Sequence, residues 1–336
     1  MSTRDVAIIG AGPAGLATAI AAKRAGLSYV VLEKGVLVNS LFHFPTNMVY
    51  FTTPELLEIG GIPFMTPYEK PTRVEALRYY RKVVDYFDLD VQTEEEVVRV
   101  CRDHAPDGVG GLSLETLTSR GVRRTHHARD VVLAAGAYDK PNLLGVPGEA
   151  LPHVSHYYSE AHAFYRKRVV IVGGKNSAAE AALELFRSGV HVTLVHRRER
   201  LGESIKYWVL PDIENRIKEG SIAALFNTTV TEIHPTSVVV DHAGRQHELA
   251  ADAVLLMTGY HSDTSLFDRC GVEYDPATFE PRFDAQTLET NVKGIYAVGS
   301  VQTGRNSGRI FIENGRFHGE HVIGVIAERA RERASI

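Results

Sequence analysis

The sequence offers very little sulfur chemistry. Its 336 residues include two cysteines, Cys101 and Cys270, and a single tryptophan. The cysteines form no Cys-x-x-Cys pair and have no histidine cluster beside them, so neither a zinc site nor a disulfide framework is indicated. Long apolar runs are also missing. No uninterrupted stretch reaches the roughly 18 residues of a membrane-spanning helix, so none is expected. The first strand signal begins at Asp5, which leaves no room for a signal peptide, and a cytoplasmic location is expected. Positive charge is not in excess: 37 Lys and Arg stand against 41 Asp and Glu, a net charge of -4. That balance gives no general attraction to nucleic acid or anionic lipid. The pairs His126-His127 and His153/His156 lack the context of metal ligands.

Apolar content of 44% and charge of 23% are those of a globular chain, and the length suits two domains. The strongest local signal opens the sequence. An apolar strand, Asp5–Ile9, runs into Gly10-Ala11-Gly12-Pro13-Ala14-Gly15 and an Ala-rich helix to about Arg24. Gly26 ends that helix, and a second strand, Tyr29–Leu32, ends at Glu33, 18 positions after the last glycine of the turn. In a dinucleotide fingerprint the first glycine permits the tight turn, the second admits the pyrophosphate, and the third lets helix and strand approach. The helix N-terminus faces the phosphates, and the acidic residue accepts from ribose hydroxyls. We therefore expect Gly10, Gly12, Pro13, Ala14, Gly15, Glu33 and Lys34 to line a nucleotide site.

The layout recurs. Val169–Val172 leads into Gly173-Gly174-Lys175-Asn176-Ser177-Ala178 and a helix through Phe186; Gly189 stops it, and His191–Val195 forms the next strand. The end of that strand is basic: His196, Arg197 and Arg198, with Arg200 nearby. A carboxylate there would repel a 2′-phosphate, whereas guanidinium groups pair with it. The second nucleotide is expected to be NADPH, bound by Gly173, Gly174, Asn176, Ser177, Ala178, His196, Arg197 and Arg198. The middle glycine of the fingerprint falls on Lys175, so either the pyrophosphate sits farther off or the lysine supplies charge.

Two such turns in a chain of this length resemble the two-domain flavoprotein reductases, thioredoxin reductase and its relatives. "VVLAAGAYDKPNLLGVPGE" (131–149) looks like that family's crossover between domains, and "NVKGIYAVGSVQTGRNSGRIFIENGRFHGEHV" (291–322) looks like its C-terminal flavin segment. The resemblance adds Ala135, Gly136, Gly299, Ser300 and Ile312 to an FAD site, with a helix starting near Phe311–Glu313 toward the flavin pyrimidine edge. Ser300 stands where the family has Asp. The aromatic, proline-rich stretch 38–64 is similar to the bacillithiol disulfide reductase subgroup, and Asn47 stands where relatives contact the isoalloxazine. The implied fold is α/β: two Rossmann-like three-layer dinucleotide-binding domains, an FAD domain of residues 1–150 and 263–336 and an inserted NADPH domain of 151–262. A homodimer is implied by resemblance alone, with the last helix, near Phe317–Arg331, as a candidate contact.

The departures from the family concern thiols. Tyr157-Tyr158-Ser159-Glu160 occupies the place of the thioredoxin reductase dithiol, and none of these residues forms a disulfide. The bacillithiol-type members carry a cysteine in the first glycine turn, where this chain has Ala14. Cys101 reads as a strand residue and Cys270 as part of a surface loop. His43 reads as a packed histidine, and "TEEEVV" (93–98) as the solvated start of a strand. The expected activity is an NADPH-dependent FAD oxidoreductase passing electrons to an acceptor. Bacillithiol disulfide or another small disulfide is what the resemblance implies. A ferredoxin- or quinone-type NADP reductase without a thiol relay remains open. So does a flavin monooxygenase, for which "VPGEALPHVSHYY" (146–158) comes near the signature but departs at Val146 and in the spacing to His153.

Overall fold

The computed structural model describes residues 3–103 and 111–334. The chain divides into two compact units. One holds the residues through His43, Asn47–Lys140 and Tyr260 onward; the other holds Phe44–Thr46 and Pro141–Gly259. The first boundary thus lies upstream of residue 150. The reason is local: Asn142 N–H donates to the Gly259 carbonyl at 2.9 Å, and Thr258 Oγ1 donates to the Asn142 carbonyl at 2.6 Å. These bonds tie the segment after Pro141 to the end of the second unit.

The first unit is built on a mixed sheet. Strands β1 (Arg4–Ile9) and β2 (Tyr29–Leu32) are parallel neighbours in register Val6 to Tyr29 through Ile9 to Leu32. Between them runs helix α1 (Pro13–Arg24). Parallel strands need such a crossover connection, and the helix supplies it. On the other side of β1 lies the long strand Arg123–Leu133. Its sequence, RRTHHARDVVL, changes character midway. The polar half pairs antiparallel with Leu112–Thr118, while the apolar half pairs parallel with Ile295–Ala297. One strand therefore serves both the exposed antiparallel extension and the buried parallel core. Val131, Val132 and Leu133 are fully buried there, as continuous apolar runs in parallel sheets should be.

The second unit repeats the theme. Strands Ala223–Leu225, His191–Val195, Arg168–Val172, Ala253–Leu256 and Val154–Ser155 form a parallel sheet in that spatial order. Helix Asn176–Arg187 packs Ala178, Ala179, Ala182 and Leu185 onto it. A three-stranded antiparallel sheet, Thr228–His234, Ser237–His242 and Arg245–Ala250, completes the unit. Both units are α/β, each with a strand–turn–helix that starts from an interior strand with parallel neighbours on both sides, which is the Rossmann-like plan expected from the two glycine turns.

Three expectations about single residues do not hold. Cys270 is not on a surface loop. It ends helix Thr264–Cys270, is 5% exposed, and burial pushes its thiol pKa up to about 12. Glu95 is not solvated: it is 1% exposed, and its carboxylate meets Arg124 Nη1 at 2.8 Å, His126 Nε2 at 2.7 Å and Thr116 Oγ1 at 2.6 Å. A carboxylate buried with this set of donors is paired rather than orphaned, and its pKa is lowered against the opposing effect of burial. His43 is exposed rather than packed, with Nδ1 2.9 Å from the Asn39 carbonyl.

Candidate functional site

The first turn is shaped by what its glycines exclude. Gly10 has φ +109, and a Cβ there would lie 2.5 Å from the Ala134 carbonyl oxygen. A Cβ on Gly15 would lie 2.0 Å from the Gly10 carbonyl oxygen. These two glycines let helix, turn and neighbouring strand close on one another. Gly12 differs: a Cβ there would meet nothing within 4 Å. Its lack of a side chain is not required by the fold, and it leaves open the space in front of the α1 N-terminus, where a pyrophosphate is bound in such turns. Pro13 takes the first helical position, where its missing N–H removes no helical bond.

Glu33 is tied into the same turn. It is 7% exposed; Ala11 N–H donates to its Oε2 at 2.9 Å and Gly35 N–H to its Oε1 at 2.8 Å. Burial raises its pKa, and the two amide donors act in the opposite sense. The carboxylate therefore braces the turn against the end of β2, with remaining lone pairs for a ribose. Lys34 Nζ pairs with Asp139 at 2.7 Å.

The C-terminal segment lies against this turn. A Cβ on Gly299 (φ +70) would meet the Ala14 Cβ at 2.8 Å, and one on Gly315 would lie 3.3 Å from Gly299 Cα. A Cβ on Gly136 (φ +72), next to Ala135, would sit 3.7 Å from Ser300 Oγ. Gly136, Gly299, Ser300 and Ala14 are thus brought into one neighbourhood. Helix Ile312–Gly315 starts within the expected range; Phe311 N–H donates to Asn314 Oδ1 at 2.8 Å. Asn47 is exposed, and its neighbour Met48 accepts from Arg73 N–H at 2.9 Å. One residue of this neighbourhood went unnoticed in the sequence. His318 Nδ1 accepts from Gly299 N–H at 3.1 Å, and burial, with His321 nearby, lowers its pKa and favours the neutral ring. No local signal marks this bond, because the partners are 19 residues apart.

The second turn is filled differently. A Cβ on Gly173 would lie 2.6 Å from the Met257 carbonyl oxygen and 2.9 Å from Ala178 Cβ. A Cβ on Gly174 would fall 2.3 Å from the His196 ring, so the imidazole rests directly on this glycine. Burial, then the charges of Arg198 and Arg197, lower the His196 pKa. Lys175 and Ser177 are exposed. The Asn176 side chain turns to the loop after the basic cluster: Nδ2 donates to the Ser204 carbonyl at 2.9 Å, and Oδ1 accepts from Lys206 N–H at 2.9 Å. Arg197 and Arg198 are exposed, and among the described residues neither has an ion-pair partner, whereas Arg200 pairs with Glu203 at 2.7 Å. Two adjacent unneutralised guanidinium groups at a strand end suit a phosphate dianion.

The family signature of the pyridine nucleotide-disulphide oxidoreductases matches residues 7–299. The chain belongs to that family. This oxidoreductase is 42% identical over 323 residues to the bacilliredoxin reductase Bdr of Bacillus subtilis, covering 96% of this chain and 97% of the relative. It is similar to the solved bacillithiol disulfide reductase Bdr of Bacillus cereus, with 40% identity and a TM-score of 0.94 over 98% of this chain and 100% of that one. The thioredoxin reductase of Bacillus subtilis is 29% identical over 310 residues, 89% of this chain and 86% of the relative. The oxidoreductase is thus a thioredoxin-reductase-like flavoprotein that uses FAD and NADPH. Its two turns fit those groups, one through the open space at Gly12 and the other through the unpaired Arg197 and Arg198. No helix among the described residues is long and apolar enough to cross a membrane, and no group of three or more His, Cys, Asp or Glu among them suits a metal ion.

Proposed function

We propose that the first unit holds FAD, through Gly10, Gly12, Pro13, Ala14, Gly15, Glu33, Lys34, Asn47, Ala135, Gly136, Gly299, Ser300 and Ile312. The second unit takes NADPH through Gly173, Gly174, Ser177, Ala178, His196, Arg197 and Arg198, while the Asn176 side chain, expected among them, is engaged with the Ser204 carbonyl and the Lys206 N–H. The acceptor is a low-molecular-weight disulfide of the bacillithiol type. FAD, when bound, relays two electrons, so that NADPH, one proton and one disulfide give NADP⁺ and two thiols. The chain's own residues bind and align. The α1 N-terminus and Gly12 receive the pyrophosphate. Glu33 braces the turn, and Gly299 brings the C-terminal segment against it. Arg197 and Arg198 select the 2′-phosphate.

The observation that carries this reading is the coexistence of an open first turn and an unpaired basic pair behind the second. Identity to a bacilliredoxin reductase and to a bacillithiol disulfide reductase supports the choice of acceptor. No cysteine of this chain takes part. Cys270 is buried with a strongly raised pKa, Cys101 lies in strand Glu95–Arg102, and Ala14 and Tyr157–Glu160 carry no thiol. The same observation supports a second reading, in which a ferredoxin or quinone accepts the electrons, because neither needs a thiol relay. Steady-state NADPH oxidation by the purified yellow protein against bacillithiol disulfide, ferredoxin, quinone and oxygen separates the two. Fast turnover with the disulfide is expected. Turnover with ferredoxin or quinone alone establishes the second reading.

We also place the enzyme in the cytoplasm as a homodimer, by analogy with its family. The apolar residues Val322, Ile323 and Ile326 of helix His318–Ala334 are buried within their own chain, so a partner would meet other surfaces. Sedimentation velocity tests the dimer.

A further inference from the structure

The loop that follows the basic cluster is joined to the glycine turn of the second unit by three hydrogen bonds, and the Asn176 side chain makes two of them. Gly202 N–H donates to the Gly174 carbonyl at 2.7 Å. Asn176 Nδ2 donates to the Ser204 carbonyl at 2.9 Å, and Lys206 N–H donates to Asn176 Oδ1 at 2.9 Å. Both ends of the amide are engaged with the loop. Asn176 is the first residue of helix Asn176–Arg187, a rigid element fixed by its alanine face. The loop 197–206 has no secondary structure of its own and carries Arg197, Arg198 and Arg200. It is further pinned by Leu201 and Ile205, both buried, and by its close approach at Gly202, where a Cβ would lie 2.9 Å from the Gly174 carbonyl oxygen.

We propose that Asn176 is a positioning residue for nucleotide specificity: it latches the basic loop to the phosphate-binding turn and so sets where the guanidinium groups meet a 2′-phosphate. It does this without contacting the nucleotide's shared part. The inference rests on the second turn being the NADPH site. Its physical basis is preorganisation. Exposed arginine side chains lose much rotamer freedom on binding a phosphate, and a loop that is already ordered lowers that cost. Loosening the latch therefore weakens binding of the 2′-phosphate, which needs both groups in place, and leaves the pyrophosphate and adenosine contacts of the turn intact.

The prediction is selective. In calorimetric titrations the wild type should bind 2′,5′-ADP more tightly than 5′-AMP. Asn176→Ala should weaken 2′,5′-ADP about tenfold and leave 5′-AMP within about twofold, the loss expected when two hydrogen bonds that order a loop are removed. In an Arg197→Ala background the same change should add little, because coupled residues are not additive. Gly202→Ala, which presses on the third bond of the latch, should show the same selective pattern and serves if Asn176→Ala folds poorly. In turnover, KM for NADPH should rise while kcat and KM for NADH stay put. Equal weakening of both ligands would mean that Asn176 touches the shared part of the nucleotide, and the latch is wrong. Unchanged binding of 2′,5′-ADP, or full additivity with Arg197→Ala, overturns it as well. A wild type that does not distinguish the two ligands instead removes the NADPH reading on which the latch stands.

Discussion

The two glycine turns have the same layout and opposite finishes. In the first, the carboxylate after the second strand is folded inward: Glu33 is buried and braces Ala11 and Gly35. The turn is then covered by Gly299 and the C-terminal segment. In the second, the strand-end charges point outward, Arg197 and Arg198 are exposed, and a histidine ring lies on Gly174. A turn braced by buried contacts of its own unit suits a group that stays bound through many turnovers. A site with solvated charges on a latched loop suits a nucleotide that arrives and leaves with each cycle. The fingerprint alone does not separate these roles; the burial of what surrounds it does.

The largest effects are expected at the glycines of the first turn. Gly12→Leu places a side chain into open space, so the polypeptide should fold normally and purify colourless. Gly15→Ala puts a Cβ within 2.0 Å of the Gly10 carbonyl oxygen and should damage the turn itself. Absorbance and thermal melts distinguish the two. A Gly12→Leu protein that keeps its flavin would end the assignment of the pyrophosphate to this turn.

A smaller effect is expected at the second turn. Arg197→Ala should lower NADPH affinity roughly 10–100-fold, the equivalent of about 1.5–3 kcal/mol for a charge-assisted contact. NADH should be unaffected. Equal use of both nucleotides by the wild type, unchanged in the variant, would remove the argument from the basic strand end.

How far the site was legible in the sequence depends on the range of the interactions. Strand β1 runs Arg4–Ile9 against an expected Asp5–Ile9, and β2 is Tyr29–Leu32 as expected. The second turn's strand, Arg168–Val172, begins one residue before the expected Val169, and its helix, Asn176–Arg187, ends one residue beyond the expected Phe186. These elements are encoded by contiguous apolar runs and glycines. The interactions that escaped involve distant partners. Glu95 is held by Arg124 and His126, 29 and 31 residues away. Cys270 is buried because its helix packs against the strand core with Val97, Val100 and Leu266. The Asn176 side chain reads locally as part of an NADPH site, yet its partners within the chain are Ser204 and Lys206, 28 and 30 residues on. Sequence patterns place such side chains on an element but not against each other.

The smallest predicted effect concerns pH and belongs to the second unit alone. Burial, reinforced by the charge of Glu184, raises the Glu180 pKa from 4.5 to about 7. A carboxyl group whose pKa is raised in the folded state binds more protons folded than unfolded between those values, so wild-type stability should fall as pH rises from about 4.5 to about 7. Glu180→Gln should remove that slope. It should stabilise the protein by about 1–2 kcal/mol near pH 8 and do little near pH 4. Denaturant melts across that range check it, and a parallel pH dependence in both proteins would show that Glu180 is ordinarily solvated.

Electrons are expected to pass from NADPH through FAD to the acceptor with no thiol of this chain involved. The most direct measurement is anaerobic stopped-flow spectroscopy of the Cys101→Ser, Cys270→Ser double variant, mixed first with NADPH and then with bacillithiol disulfide. Flavin absorbance should bleach and return at the wild-type rates. Wild-type reoxidation by the disulfide that is lost in the double variant would contradict it, and would place one of these cysteines in the path of the electrons.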